Sequence, residues 1–301
     1  MNQRELKTII GYYWRYENRV KNFGDMVGSV ILRYLGFHYK PVDLFAENIQ
    51  DRPVLTIGSI LSSDTRLTYD GRQEFDIWGC GIRHVVDEAK LFARCRFLAV
   101  RGELTIAVLG LAKNIATGDP GLLLPRFYSP QVSKEFSGQV LLVPHFTRDE
   151  VYAGRIQPRN FGCTRTLSTR ILLTQGEKDW LGYAAPEYNQ NLDPCDMLPL
   201  MNGSDMGFFG LVDAICSSRF VLTGSLHCAI IAHAYGIPWA PLNDGYINLP
   251  AKWLDFGSSI GVRAGFCPNA AEGVGWWKQN ARHSREVDAE RLIDVFLECR
   301  G

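Results

Sequence analysis

The stretch SSRFVLTGSLHCAIIAHAYGIPWAPLN, residues 217–243, decides how the chain is read. The run SSRFVLTG has the length and apolarity of a buried strand, SLHCAIIAHAYG has a helical pattern that Gly236 stops, and IPWAPLN reads as a second strand. Strand, helix and strand in that order make a βαβ unit. The turn between the first two gathers Gly224, Ser225, Leu226 and His227. The first amides of a helix have no acceptor within it, and the helix dipole adds positive potential there. Such a turn is built to receive an anion. His227 stands at its edge, where an imidazole can exchange a proton with whatever docks. Capping its own turn is the competing structural role for His227. His233, in mid-helix between alanines, reads as a core histidine.

Working outward, the same alternation covers most of the chain. PVLTIGSIL (53–61), FDIWGCGI (75–82) and CRFLAVRG (95–102) read as buried strands. GDMVGSVILRYLG (24–36) reads as a helix with Asp25 at its N-cap and Gly36 as its stop, and ELTIAVLG (103–110) as a shorter one. The proline- and glycine-bearing segment 118–138 reads as a turn-rich crossing, after which QVLLVPHF (139–146) opens a second series. Residues 147–205 have weak periodicity and read as loop-rich. SREVDAERLIDVFLECR (284–300) reads as an amphipathic helix opened by Ser284. The pattern predicts an α/β protein with parallel sheets in two Rossmann-like halves facing a cleft. Residues 1–130 form an N-terminal α/β domain in this reading, 131–280 a C-terminal one, and 281–301 a final helix able to pack back on the first.

Composition narrows the function. The 301 residues are 46% hydrophobic and 21% charged, with 32 Lys plus Arg against 32 Asp plus Glu. No global field recruits nucleic acid or anionic lipid. The eight cysteines form no C-x-x-C pair and read as buried thiols in a reducing compartment. The first twenty residues are charged throughout, without the apolar core of a signal peptide. No run approaches the ~18 apolar residues that a membrane span needs. The expected setting is cytoplasmic, with at most peripheral contact at the inner face of the membrane.

Further candidates sit at turns between elements. Arg101, in AVRGELT, follows a strand and precedes a glycine, where its planar fork can meet a carboxylate or phosphate. Asn22, Gly24 and Asp25 form a tight turn before a helix. GDPG places Asp119 in another turn, His145 follows a strand and a proline, and Lys252 comes after the last parallel strand. Arg, His, His and Lys are thus expected at one edge of two sheets. With no Walker loop, no G-x-G-x-x-G and no metal-ligand cluster, they point to a small anion-bearing substrate without a dinucleotide.

In order along the chain, NFGDMVGSVIL, GSIL, WGCGI, AVRGELT, GDPGLLLPRF, LVPHF, SSRFVLTGSLHCAIIAHAYGIP and AKWLDFG resemble the polysaccharide pyruvyltransferases. The likeness is greatest to the branch that places a pyruvate ketal on a terminal sugar of an exopolysaccharide repeat, as in xanthan. The resemblance implies a GT-B-like fold, phosphoenolpyruvate as donor substrate, and neither cofactor nor metal. It implies a saccharide acceptor, free or lipid-linked, and a cyclic ketal and phosphate as products. His227, Arg101 and Asp25 become the catalytic candidates. Asn22, Gly24, Gly58, Ser59, Asp119, His145, Gly224, Ser225, Leu226 and Lys252 become the substrate-binding ones. Many members carry arginine directly before the L-H pair, where this chain has Ser225. The aromatics and arginines of the middle stretch (Tyr152, Arg155, Arg159, Phe161, Arg165, Trp180 and Tyr183) are candidates for the acceptor. Two other readings remain open at this point: a GT-B glycosyltransferase using a nucleotide-sugar, and a non-catalytic carbohydrate-binding or assembly protein of the same fold.

Overall fold

The strand Phe75–Ile82 is buried along its whole length, as a strand covered on both faces must be. The structure, a computed structural model, describes residues 6–11, 20–41, 52–61, 74–83, 93–148, 154–182, 206–263 and 265–300. Its strands are β1 (Lys7–Gly11), β2 (Lys21–Asn22), β3 (Phe37–Pro41), β4 (Val54–Leu55), β5 (Ser59–Leu61), β6 (Phe75–Ile82), β7 (Cys95–Val100) and β8 (Ala116–Thr117) in the first half. The second half adds β9 (Val140–Val143), β10 (Arg165–Thr166), β11 (Arg170–Ile171), β12 (Phe220–Thr223) and β13 (Trp239–Pro241). The helices are α1 (Phe23–Tyr34), α2 (Glu103–Leu109), α3 (Gln175–Leu181), α4 (Phe208–Ser217), α5 (Leu226–Ala234), α6 (Pro250–Ile260), α7 (Ala270–Asn280) and α8 (Ala289–Arg300).

Two parallel sheets result. The larger runs β3-β1-β4-β6-β7-β8, with β5 also paired to β6, and the smaller runs β10-β9-β12-β13. A short antiparallel pair, β11 with β2, sets Arg170 opposite Asn22. Mixed α/β architecture with parallel sheets is therefore the fold.

Side-chain alternation distributes the core. Leu141, Val143 and Val221 join Val54, Trp78 and Ala99 in one cluster that spans both sheets. Leu55, Phe75, Ile77, Cys80 and Val100 pack in a second cluster of the larger sheet, and Val140, Leu142, Phe220 and Leu222 in a third of the smaller one. Along β6, Ile77 and Cys80 belong to the same cluster although three positions apart. The pairing register shifts on either side of Trp78, and Gly79 follows with φ +90°. A bulge of this kind reverses strand parity. A β-carbon at Gly79 would also meet Pro120 Cδ at 2.2 Å.

Several local expectations are corrected. The run 53–61 is two strands, because Gly58 takes φ +99° between them. Asn22, not Asp25, caps α1: its side chain accepts from the Gly24 amide, and Asp25 lies within the first turn. The crossing at 118–138 opens with a buried 3-10 helix, Pro120–Arg126, capped by Asp119. The middle stretch contains α3, opened by a reciprocal capping box between Thr174 and Glu177. The final helix begins at Ala289, and Ser284 instead ends the 3-10 turn Ala281–His283. Lys252 lies not at a strand end but on α6, and neither α6 nor α7 is predicted by the sequence pattern.

The C-terminal helix α8 packs against the first sheet. Trp78 Nε1 donates to Leu292 O at 2.8 Å, and the Trp78 and Phe296 rings pack at a 30° tilt with centroids 4.4 Å apart. Arg300 pairs with the buried Asp76, which also holds Arg96 through two contacts of 2.8 and 2.9 Å. The cysteines at 80, 95, 163, 216, 228, 267 and 299 are free thiols, and Cys195 lies outside the described residues. Among the described residues no helix is long and apolar enough to cross a membrane.

Candidate active site

The turn after β12 is pinned by one hydroxyl. Thr223 Oγ1 accepts from the Ser225 amide at 2.9 Å and donates to Val143 O at 2.9 Å. Ser225 occupies the N-cap position of α5 without a side-chain cap. Leu226 and His227 lie in the first turn of α5, where backbone amides have no acceptor within the helix, so the turn keeps its capacity for an anion. The Leu226 side chain itself is buried in the core. Only its backbone is available to the site.

The His227 side chain is 15% exposed, with Nε2 3.8 Å from Asp119 Oδ2. That separation is outside hydrogen-bond reach, and both atoms are buried without a partner. Asp119 spends its other oxygen on the Gly121 amide at 2.9 Å. On the opposite side of the imidazole, a β-carbon at Gly24 would lie 2.2 Å from Nδ1. The ring therefore fits only because residue 24 is glycine. Asn22 holds that glycine in the capping turn.

Arg101 is a buried residue at 1% exposure, not a surface one. Its Nε donates to Asp255 Oδ2 at 3.1 Å and its Nη1 to Ser59 Oγ at 2.9 Å. Nη2 remains without a partner. Asp255 also accepts from the Thr105 amide at 2.9 Å and hydroxyl at 2.8 Å. A buried pair of this kind is tolerable only when its remaining valences are filled. Close approach requires glycine again: a β-carbon at Gly81 would be 2.2 Å from Arg101 Nη2. Gly58 supports that strand end by accepting from the Gly81 amide at 3.0 Å.

Lys252 stands one turn before Asp255 on α6, 9% exposed, and donates to Asn248 Oδ1 at 2.7 Å. His145, just after β9, approaches Gly224, whose β-carbon would be 2.9 Å from the His145 amide nitrogen.

These groups share one electrostatic field. Burial first, then Lys252 and Arg101, push the His227 ring down to about 3. Burial, Lys252 and Arg148 push His145 down to about 3. Burial lowers Lys252 to about 7, helped by Arg101 and Arg83 and opposed by Asp25. Asp119 is raised to about 6 by burial, against the Gly121 amide and Arg101. At neutral pH both histidines are thus uncharged, and Lys252 is near its midpoint. Such mutual crowding of cations lowers when an anion arrives among them.

The fold thus brings Arg101, Ser59, Asp119, His227, Lys252 and Asp25 into one neighbourhood, with Gly24, Gly58 and Gly224 as close-approach positions. Asp255, Thr105 and Gly81 were missed by the sequence reading. The spacing in AKWLDFG is the signal that finds Asp255, since positions 252 and 255 share a helix face. Of the acceptor candidates, Arg165 pairs with Glu135 and covers the Phe136 ring at 4.7 Å. Trp180 packs on Tyr34 with centroids 4.8 Å apart. Arg155 and Arg159 are exposed and Phe161 is half-buried; Tyr152 and Tyr183 lie outside the described residues.

The sequence matches the polysaccharide pyruvyl transferase family over residues 77–246, more than half of the chain. That span includes Arg101, Asp119, His145 and the turn Gly224–His227. Among curated proteins none matches the sequence. The solved structure of a functionally uncharacterised protein from Klebsiella pneumoniae is similar at 12% identity, covering 84% of this chain and 86% of that one, with a TM-score of 0.43. On its family match, the chain belongs to the polysaccharide pyruvyl transferases.

Proposed function

We propose that the protein transfers the pyruvyl group of phosphoenolpyruvate to two hydroxyls of a terminal sugar in an exopolysaccharide or its lipid-linked repeat unit, as the xanthan-type members do. The product is a cyclic ketal, and phosphate is released. The observation that carries this reading is the position of His227, within the field of both Lys252 and Arg101 and beside the anion-receiving start of α5.

A proton adds to the CH₂ carbon of the enol and makes it a methyl group, leaving an oxocarbenium-like C2. One sugar hydroxyl bonds to C2 and loses its proton. The bond from C2 to the bridging oxygen then breaks, phosphate departs, and the second hydroxyl closes the ring with loss of its own proton. Two protons leave the sugar; one replaces that taken up by the methyl group and one goes to phosphate.

The residues divide this work. The α5 amides and Lys252 bind phosphate, where charge grows as it departs. Arg101 Nη2, its one uncommitted nitrogen, offers a bond to the donor's carboxylate. An anion paired with Lys252 and Arg101 offsets the two charges that depress His227, so the ring's proton affinity rises when donor binds. His227 then protonates the bridging oxygen, a role typically worth about 10²–10⁴-fold. Asp25 and Asn22, at the start of α1, bind the sugar hydroxyls and Asp25 takes their protons. Ser225 leaves the turn without the arginine of other members, and Lys252 supplies the nearby cation. The scheme uses no cofactor, and the reaction belongs to the cytoplasmic side where phosphoenolpyruvate is found.

The test is phosphate release from phosphoenolpyruvate with a saccharide acceptor, for wild type, His227→Ala and Arg101→Ala. Unchanged release in both variants removes the proposed site. Stabilisation by UDP or GDP with none by phosphoenolpyruvate indicates a nucleotide-sugar enzyme instead.

A further inference from the structure

Lys252 and His145 reach the site from different segments, and a chain of hydrogen bonds joins them. Lys252 Nζ donates to Asn248 Oδ1 at 2.7 Å. An ammonium has no acceptor capacity, so this contact fixes the orientation of the Asn248 amide. Its Nδ2 then donates to the Tyr246 hydroxyl at 3.0 Å. Tyr246 OH lies 3.5 Å from Thr147 Oγ1, and Thr147 Oγ1 lies 2.9 Å from His145 Nδ1.

The last contact determines a tautomer. The Thr147 backbone N–H also reaches His145 Nδ1, at 3.3 Å. A backbone amide only donates, so Nδ1 carries no hydrogen and the neutral ring holds its proton on Nε2. The Tyr246 ring is fixed in turn by His145, with centroids 5.7 Å apart, and by the Arg148 guanidinium at 5.5 Å. Arg148 is itself paired with Asp244 at 3.0 Å. The charged groups acting on His145 are Lys252 and Arg148, both cationic, which favours the neutral ring.

We propose that Thr147, Tyr246 and Asn248 are positioning residues that hold the Lys252 ammonium and the Nε2–H tautomer of His145 for one phosphate group at the start of α5. With phosphate bound, which raises the lysine's proton affinity, His145 is an uncharged donor and Lys252 a charged one. The three residues between them act through these two groups and do not touch the ligand. The identity of that phosphate as part of phosphoenolpyruvate rests on the proposed function; the binding of phosphate does not.

Two measurements test this on the full chain with inorganic phosphate as probe. Nitrogen-15 correlation spectra of His145 are expected to show the Nε2–H form in the wild type. Thr147→Val removes the hydroxyl and keeps the backbone N–H, so it is expected to give a mixture in which Nε2–H still predominates. Tyr246→Phe, nearly isosteric, is the second variant should Thr147→Val lose its fold, and it is expected to weaken the same preference. Calorimetry should show the phosphate Kd of Asn248→Ala raised about tenfold, the size of one charge-assisted hydrogen bond, with the melting temperature near wild type. If activity follows the proposal, KM for phosphoenolpyruvate rises in that variant while kcat changes little. A wild-type ring that is not Nε2–H, a tautomer unmoved by both Thr147→Val and Tyr246→Phe, or an unchanged phosphate Kd in Asn248→Ala overturns the inference. Should these readouts hold while phosphoenolpyruvate is not turned over, the proposed function fails and this assignment stands.

Discussion

Arg101 Nε lies 3.1 Å from Asp255 Oδ2, joining the end of β7 to a helix 154 residues further along the chain. Both side chains are sealed from water, at 1% and 0% exposure. The pair therefore locks the first sheet to α6, which also carries Lys252. Removing the carboxylate leaves a buried guanidinium with one remaining bond, to Ser59. Asp255→Ala should therefore cost about 3–5 kcal/mol in urea unfolding. Asp255→Asn, which keeps an acceptor for Thr105, should cost less. Equal stability of Asp255→Ala and wild type would show that the pair does not hold the two halves together.

Gly24 sets the position of the His227 imidazole. A methyl group there would collide with Nδ1 at 2.2 Å, and the ring must tilt away to admit it. Gly24→Ala should lower kcat by about 10²-fold, the usual consequence of a displacement near 1 Å. Circular dichroism should remain that of a folded protein. Phosphate release at the wild-type rate would show that the ring's placement is unimportant.

Lys252 should make phosphate binding depend on pH. Its pKa is lowered to about 7 in the free protein, chiefly by burial. Deprotonation above that value removes a positive charge from the site. Inorganic phosphate should bind progressively more weakly as pH rises above about 7, and Lys252→Gln should remove most of this dependence. Calorimetric titrations between about pH 6 and 9 check it. Binding raises the lysine's proton affinity, so the decline should begin later for the tighter ligand.

His227 makes the empty protein acid-sensitive. Its folded pKa, about 3, lies below the ordinary value of 6.5. Between those values the unfolded chain binds a proton that the folded one does not, so stability falls as pH drops through that window. The contribution to the slope approaches about 1.4 kcal/mol per pH unit. Asp119, raised to about 6, acts oppositely between its ordinary 3.8 and that value. His227→Asn should flatten the loss of stability below about pH 6 in urea titrations. An unchanged slope would mean that the ring protonates freely in the fold.

Much of this architecture is legible locally. An apolar run such as FDIWGCGI has few options other than a buried strand, and it is one. Gly36, Gly110 and Gly236 mark helix ends because a left-handed backbone there is open to glycine without cost. The same local logic fails where two solutions compete. At NFGD both Asn22 and Asp25 are good caps, and Asn22 takes the position because β2 pairs with β11 and fixes the chain's entry to α1. In PVLTIGSIL the strand divides at Gly58, where backbone geometry outweighs apolar continuity. Helix α6 escapes notice because its buried positions mix Lys252, Asp255 and Ser259 with Trp253, Phe256 and Ile260, and α7 because it buries only Ala270, Gly273 and Asn280, which make no apolar stripe.

Sequence alone determined the alternation of strands and helices, the strand-to-helix turn at Gly224–His227 and the family resemblance, since all three depend on neighbours within a few positions. Only the tertiary structure decided that Arg101 is buried against Asp255, that Gly24 makes room for His227, and that a hydrogen-bonded chain joins Lys252 to His145. Burial and electrostatic field are sums over residues far apart in the chain. A charge whose pKa depends on its distant neighbours has no fixed chemistry until folding sets them around it.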